Sequence, residues 1–394
     1  MFQKNLVIKY LIYPTILILC LIVKIIRPLI FIRFGCLYAD KIGPFASNNE
    51  LILCEKDLIV QPKNCFDIYC ESSQGHVCNN QLLQMWRRKF RVWKNSYFFW
   101  YICRRIPFLN SHLISSFKGS RDIKGLLART KPHLEFLHHE KKIATQEMKK
   151  FGIGNDDNFI LIMNRGSKFL NQFFPSKKDL SYNDFRNCEI KDFLLAAENL
   201  TKKKNFIIRM GKGVDDKIIS NNPKIIDYEL GGFRSELLDI YLSAKCRYII
   251  CSDTGFAAVP CWLFRKPLVS VNFCQIEHLH PWLPNWLFIF RKYWMKNEKR
   301  FMKIEEIIKS GVGKLNHKDE YEKKGIELVK NSPTEILDAS EEMESRLNGT
   351  WKTEEEDDLL QKKFWSHFKN SKLHGNFKSK IGTKFLRENR DILL

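Results

Sequence analysis

Three patterns are missing from this 394-residue chain. No two of its 12 cysteines stand at C-x-x-C spacing, so the paired-thiolate signature of a zinc finger is absent. The densest group, Cys65, Cys70 and Cys78, is spaced at gaps of five and eight. Cys188, Cys246, Cys251, Cys261 and Cys274 stand in apolar text or beside expected strands, which reads as free buried thiols in a reducing compartment. Nor does an uncharged apolar run reach the ~20 residues that cross a bilayer unaided. The longest such run near the amino terminus, YLIYPTILILCLIV, lies between Lys9 and Lys24. Internal repeats and low-complexity tracts are absent too, so the chain reads as globular throughout.

What is present is apolar material and positive charge. Hydrophobic residues make up 44% and charged residues 28%, enough for full cores and a length that suits two to three domains. Lys and Arg number 65 against 44 Asp and Glu, a formal charge of +21. That surplus favours nucleic acid, anionic lipid or phosphorylated substrates without choosing among them. No A-x-A-like site follows the apolar run, which argues against a cleaved signal peptide. A signal anchor or an embedded monotopic helix fits better. Adding Asn5–Ile8 lengthens the run and takes in Lys9, which can snorkel. Lys24, Arg27 and Arg33 just after it would keep the following domain cytoplasmic, although Lys4 and Lys9 dilute that bias.

Along the chain, RPLIFIRFG (27–35) reads as a first strand ending on Gly35. CLYADKIGPFASN follows as a short helix or turn, and ELILCEKD (50–57) as a second strand. Between Gln84 and Arg105, Trp86, Phe90, Trp93, Tyr97 and Tyr101 recur at helical spacing, with Arg87, Arg88, Lys89, Arg91 and Lys94 mostly off that stripe. One amphipathic helix is expected there. It is either a core helix with a solvated basic face or a membrane-surface patch for anionic lipid. The separate aromatic stripe argues against nucleic acid. Residues 133–151 read as a helix-rich connector ending at FGIGNDDN. Beyond it, FILIM (159–163), NFIIRMG (205–211), KIIDY (224–228), RYIICSDTG (247–255) and PLVSVN (267–272) read as strands. IKDFLLAAENLTKK, SELLDIYLSAKC with Ser235 as N-cap, and FAAVPCWLF read as helices between them. Such alternation means a parallel sheet covered on both faces. The tail reads as helical, with a capping box at Ser332, Pro333 and Glu335 and one last helix over KSKIGTKFLRENRDILL.

Ligands of a parallel α/β sheet gather at the carboxyl ends of its strands. After the first strand of the later domain come Asn164, Arg165 and Gly166. After the second come Gly211 and Lys212, with Arg209 near the strand end. After the fourth come Ser252, Asp253, Thr254 and Gly255, opening a helix. A helix start offers free N–H groups to phosphate, Gly255 lets backbone approach a ligand, and Arg binds diphosphate in a bidentate manner. Each residue has a plainer reading alone: Arg209 a rim salt bridge, Lys212 a solvated side chain, Asp253 a helix cap. Their joint placement points to an anion. His278 and His280 in EHLHPW lack a third ligand, no D-x-D stands near a strand end, and Asp156-Asp157 and Asp215-Asp216 are adjacent pairs in polar text. No metal is expected.

The segments DFRNCEIKDFLLAAENLTKKKNFIIRMGK, IIDY, RSELLDIYLSAKCRYIICSDTGFAAVP and PLVSVN resemble a family of bacterial glycosyltransferases of surface-polysaccharide biosynthesis. The likeness extends to IRFGCLYADKIGPFASNNELIL, NSPTEILDASEEMESRLNGTW and IGTKFLREN. It implies an α/β fold of two Rossmann-like domains of GT-B type, and metal-independent transfer from a nucleotide sugar to a glycan or lipid-linked acceptor. On that footing, residues 1–26 form a hydrophobic segment, 27–155 an acceptor-side domain, 156–315 a donor domain and 316–394 a helical extension. The enzyme would work at the cytoplasmic face of the membrane, anchored by its amino terminus or peripheral. SDTG is similar to the phosphate-side loop of heptosyltransferases, and Asn164–Gly166 to an arginine-bearing loop of some fucosyltransferases. These matches imply donor contacts from Arg165, Arg209 and Ser252–Gly255, with Gly211 and Lys212 beside them. The family often carries a His after the Gly of its amino-terminal motif. Here Gly43 is followed by Pro44, which leaves Asp40 as the nearest candidate base. The competing reading is a non-catalytic basic protein that binds membrane surfaces or polyanions.

Overall fold

A computed structural model describes residues 6–114, 120–168, 181–214 and 216–393, with residues 6–12 described by backbone alone. Lys4, Asn5, Asp215 and much of the polar insert after FILIM lie outside the described residues. The chain divides into two compact units, Met1–Ser120 with Arg129–Leu137, and Arg121–Ala128 with His138–Leu394.

In the first unit the apolar run forms α1 (Leu6–Ile25), with Pro14 inside it. No helix among the described residues is long and apolar enough to cross a membrane. The first expected strand is β1 (Phe31–Cys36). The second is not ELILCEKD. That segment belongs to α2 (Ile42–Leu58), and the parallel partner of β1 is β2 (Cys65–Cys70). The reason is burial. Phe45 through Ile52, and Cys54, are all buried, so the helix has no polar stripe, and a short apolar run cannot be told from a strand by periodicity.

The single helix expected over Gln84–Arg105 is two, α3 (Asn80–Arg87) and α4 (Ser96–Arg105). The backbone between them is drawn out straight by β2. Tyr69 N donates to Arg91 O at 2.9 Å, and Trp93 N donates to Tyr69 O at 2.8 Å. Trp86 and Phe90 remain in the core while Trp93 is largely exposed, so the stripe does not lie on one helix face.

The second unit opens with α5 (His138–Lys149), the expected connector helix. Its Glu147 accepts from Ser235 Oγ at 3.0 Å. The main sheet is built from β3 (Phe159–Met163), β4 (Phe206–Arg209), β5 (Ile225–Asp227), β6 (Ile249–Cys251), β7 (Leu268–Phe273) and β8 (Trp286–Phe290). A small antiparallel sheet follows, of β9 (Lys292–Met295), β10 (Arg300–Phe301) and β11 (Ile326–Val329). β12 (Lys380–Ile381) then adds itself to the edge of the main sheet. The order is β12-β8-β7-β6-β3-β4-β5, with every neighbouring pair parallel. The carboxyl-terminal 80 residues or so are therefore not a purely helical extension, since two strands lie within them. Lys380–Ile381, expected as helix, is extended, and Gln361 takes up its outer edge by exchanging two hydrogen bonds with Ile381.

Between the strands run α6 (Leu194–Lys202) and α7 (Glu236–Lys245), the latter capped by Ser235 Oγ on Leu238 N. α8 (Pro333–Leu347) starts on the expected capping box, in which Ser332 and Glu335 exchange bonds. FAAVPCWLF is a 3₁₀ turn, Gly255–Ala257, followed by a π-type turn, Val259–Leu263. Pro260 lacks the N–H that a regular helix would use there.

Candidate functional site

The strand order fixes where a ligand can enter the second unit. β3 is central: β4 and β5 are added on one side, and β6, β7 and β8 on the other. The direction of winding reverses between β3 and β6, and open α/β sheets bind ligands at that switch point, beyond the carboxyl ends of the strands. The residues there are Asn164–Gly166 and Ser252–Gly255.

They are joined by backbone. Arg165 N donates to Ser252 Oγ at 2.8 Å, and Ser252 N donates to Met163 O at 3.1 Å. On the other flank Asn164 Nδ2 donates to Cys188 O, and Cys188 N donates to Arg165 O. Ser252 is fully buried, so its hydroxyl ties two strand ends together and does not face solvent. Thr254 Oγ1 caps the next turn by accepting from Phe256 N, and Gly255 is exposed.

The charge of the site comes from Arg165, Asp253 and a residue the strand-end reasoning overlooked, Arg186. Arg186 Nε donates to Asp253 Oδ2 at 2.7 Å, and its Nη2 donates to Asp253 O at 3.3 Å. Burial alone would raise the Asp253 carboxyl, but the charge and hydrogen bond of Arg186, and then the Arg165 charge, hold it below its ordinary value. Burial, followed by the charge of Arg186, pushes the Arg165 guanidinium below its ordinary value, with Asp253 opposing. Arg165 Nε is buried without a hydrogen-bond partner among the described residues. Arg291 braces the segment that carries Arg186, donating to Phe185 O at 2.8 Å and Asn187 O at 2.6 Å. Arg186 sits at the end of a 3₁₀ turn, Ser181–Arg186, and not after a strand. The signal that could have found it was its place in DFRNCEIKDF, one of the segments that carry the family resemblance.

Arg209, Gly211 and Lys212 form a different group, around β4 and β5. Arg209 is fully buried. Its Nη1 lies 3.4 Å from Asp227 Oδ1 and its Nη2 donates to Asp216 O at 2.8 Å. Asp227 also accepts from Ile218 N and Leu230 N. Arg209 thus organises the loop between β4 and β5, and its Nε, like that of Arg165, is buried without a hydrogen-bond partner among the described residues. Gly211 is required by packing, since a Cβ there would lie 2.1 Å from Val214 Cγ1. Gly213 N donates to Glu229 Oε1 at 2.6 Å. The Lys212 charge acts on Asp239, whose carboxyl is raised to about 6 by burial against the opposing charges of Arg234 and Lys212.

Asp40 is not a free base. Its carboxylate accepts from Ser72 Oγ, from Ser73 N (3.1 Å) and Oγ (2.9 Å), and from Gln74 N (2.9 Å). Two donors on each oxygen occupy the lone pairs that proton abstraction would use. Asp40 instead pins the Ser72–His76 loop.

For metals, His280 is stacked on Trp282 at 4.9 Å and lies edge-on to Trp262. Burial holds it far below its ordinary pKa. Among the described residues, one group of three has ligand atoms within 4.8 Å of one another: Glu50, Cys54 and His133. His133 already spends both ring nitrogens, Nδ1 on Glu50 at 3.0 Å and Nε2 on Asp57 at 2.9 Å. Burial would lower it, but bonds to Cys54, Glu50 and Asp57 raise it to about 10. His133 is thus an imidazolium paired with two carboxylates.

Two outcomes follow. Arg209→Met leaves Asp227 buried without its cation and should cost about 3 kcal/mol, the low end for a broken buried pair, read as a fall in the urea midpoint. A loss under 1 kcal/mol would mean that Arg209 is not structural. For His133 the folded pKa lies above the unfolded one. Its contribution is therefore complete below about 6.5 and is lost as pH climbs towards about 10, by proton linkage. Stability of the wild type should fall across that window more steeply than that of His133→Gln, and parallel curves would contradict the imidazolium assignment.

No family model matches the sequence, and a search of curated proteins finds no match. Among solved structures, the glycosyl transferase family 9 protein from Veillonella parvula DSM 2008 is similar over 80% of this chain and 97% of its own, at 11% identity and a TM-score of 0.41. The E. coli ADP-heptose LPS heptosyltransferase II is similar over 65% of this chain and 87% of its own, at 13% identity and a TM-score of 0.32.

Proposed function

We propose that the chain is a glycosyltransferase that moves a sugar from a nucleotide-sugar donor to a surface-glycan or lipid-linked acceptor. The observation that carries this reading is the pair Arg165 and Arg186 at the switch point of a doubly wound sheet, with Asp253 hydrogen-bonded to Arg186 alone among the described residues. The family resemblance of the sequence supplies the chemical identity of the anion.

In the proposed reaction an acceptor hydroxyl oxygen forms a bond to the anomeric carbon of the donor. The bond from that carbon to the diphosphate oxygen breaks, and the nucleoside diphosphate leaves with the electron pair. Arg165 meets the charge that develops on the leaving group, with Arg186 behind it and the exposed backbone at Thr254–Gly255 beside it. Fixed cations aimed at developing charge are the usual electrostatic route in such sites. Their presence makes a divalent ion unnecessary in this scheme. The hydroxyl proton passes to a base that is not Asp40.

A polyanion-binding protein would show no nucleotide preference, and its binding would fall steeply with salt. A donor site should select one nucleoside diphosphate. In a thermal-shift panel of UDP, GDP, ADP and CMP, one nucleotide at about a hundredfold excess over its Kd should stabilise the chain by about 2.7 kcal/mol. Arg165→Ala should stay folded and lose most of that shift. An equal response to all four, or a full shift in Arg165→Ala, would overturn the assignment.

A further inference from the structure

α1 has two unlike faces. One is packed: Tyr13 stacks on Tyr101 of α4 at 5.5 Å, and Cys20 is buried beside Cys103, Phe34, Phe99 and Trp100. The other face carries Ile18, Ile22 and Ile25, the last 76% exposed. Just beyond the helix, Leu29 is 77% exposed. Asn64 Nδ2 donates to Leu29 O, and Phe31 N donates to Asn64 O, which brings the loop carrying Val60 alongside. Val60 is 95% exposed. Lys24 Nζ donates to Phe108 O at 2.9 Å and lies over its ring, so the half-exposed Phe108 joins the same edge. Several exposed apolar side chains on neighbouring segments of one unit mark a candidate interaction site.

Its charge says what it meets. The sequence has no Asp or Glu before Asp40, yet carries Lys4, Lys9, Lys24, Arg27 and Arg33. It has none between Glu71 and Asp122, the stretch that supplies α4 with Arg104 and Arg105. Arg33 is neutralised by Asp67, whereas Arg27 lies over the Phe31 ring and Arg105 over the Tyr101 ring. Apolar side chains rimmed by Lys and Arg suit the boundary between headgroups and acyl chains of an anionic bilayer.

We infer that this edge docks on an anionic lipid surface with α1 lying in the interface. The contacts of Tyr13 and Cys20 hold the helix along α4, so the apolar run serves as a flat foot and not as a span. This inference is independent of the donor site.

The test is co-sedimentation of the full chain with vesicles of phosphatidylethanolamine and phosphatidylglycerol, against vesicles of phosphatidylcholine alone. The wild type should pellet with the anionic vesicles and much less with the neutral ones. Leu29→Glu with Val60→Glu, at exposed positions the fold does not need, should lower partitioning about tenfold or more, since carboxylates are costly in the interface. Thermal unfolding and the nucleotide shift should be unchanged. Arg27→Glu should weaken the preference for phosphatidylglycerol. Wild-type binding equal to that of the double variant, or no binding to anionic vesicles at all, would overturn the proposal. So would a wild-type dimer by light scattering that the double variant dissociates without any vesicle binding, because a second copy would then be the occupant.

Discussion

Arg165 and Arg186 stand beside Asp253 where water screens them poorly. Asp253 gives both its side chain and its carbonyl to Arg186, and Arg165 is left with a buried Nε that nothing among the described residues satisfies. Like charges held close in a partly buried site are unfavourable unless an anion joins them. The fold spends several interactions to keep this arrangement. Ser252 clamps the Arg165 backbone to the end of β6, Arg291 braces the Arg186 turn by two carbonyls, and Asn164 ties the loop to Cys188.

The strand order gives the two strand-end arginines different positions. Arg165 leaves β3 at the point where the winding reverses, so its loop opens beyond the sheet. Arg209 ends β4, one strand away from that point, and is closed over by the Asp216–Ile218 segment and by Asp227. Both follow an apolar strand in the sequence, and both carry the same side chain. Only the topology tells them apart.

That difference marks what could be read from residues alone. β3 to β7 were legible as apolar runs, whereas β8 (Trp286–Phe290), equally apolar and buried, was not read as a strand; α8 was legible because Ser332, Pro333 and Glu335 state its start. Ser252–Gly255 was legible as the end of a strand. α2 was not, because a helix buried on nearly all sides loses the polar stripe that identifies it. The break between α3 and α4 was not, because it is imposed by backbone bonds from Tyr69, which no local pattern encodes. Asp40 looked available because its four donors come from residues 32 or more positions away. Arg186 was hidden in a 3₁₀ turn that a search of strand ends does not visit.

The most direct test of the anion site is a crystal structure of the chain with the nucleoside diphosphate that stabilises it most. The account predicts diphosphate oxygens within hydrogen-bond distance of Arg165, beyond the ends of β3 and β6, with the Arg186–Asp253 pair intact. Diphosphate bound at the Gly211–Gly213 loop, or anywhere that leaves Arg165 Nε without a partner, would contradict it.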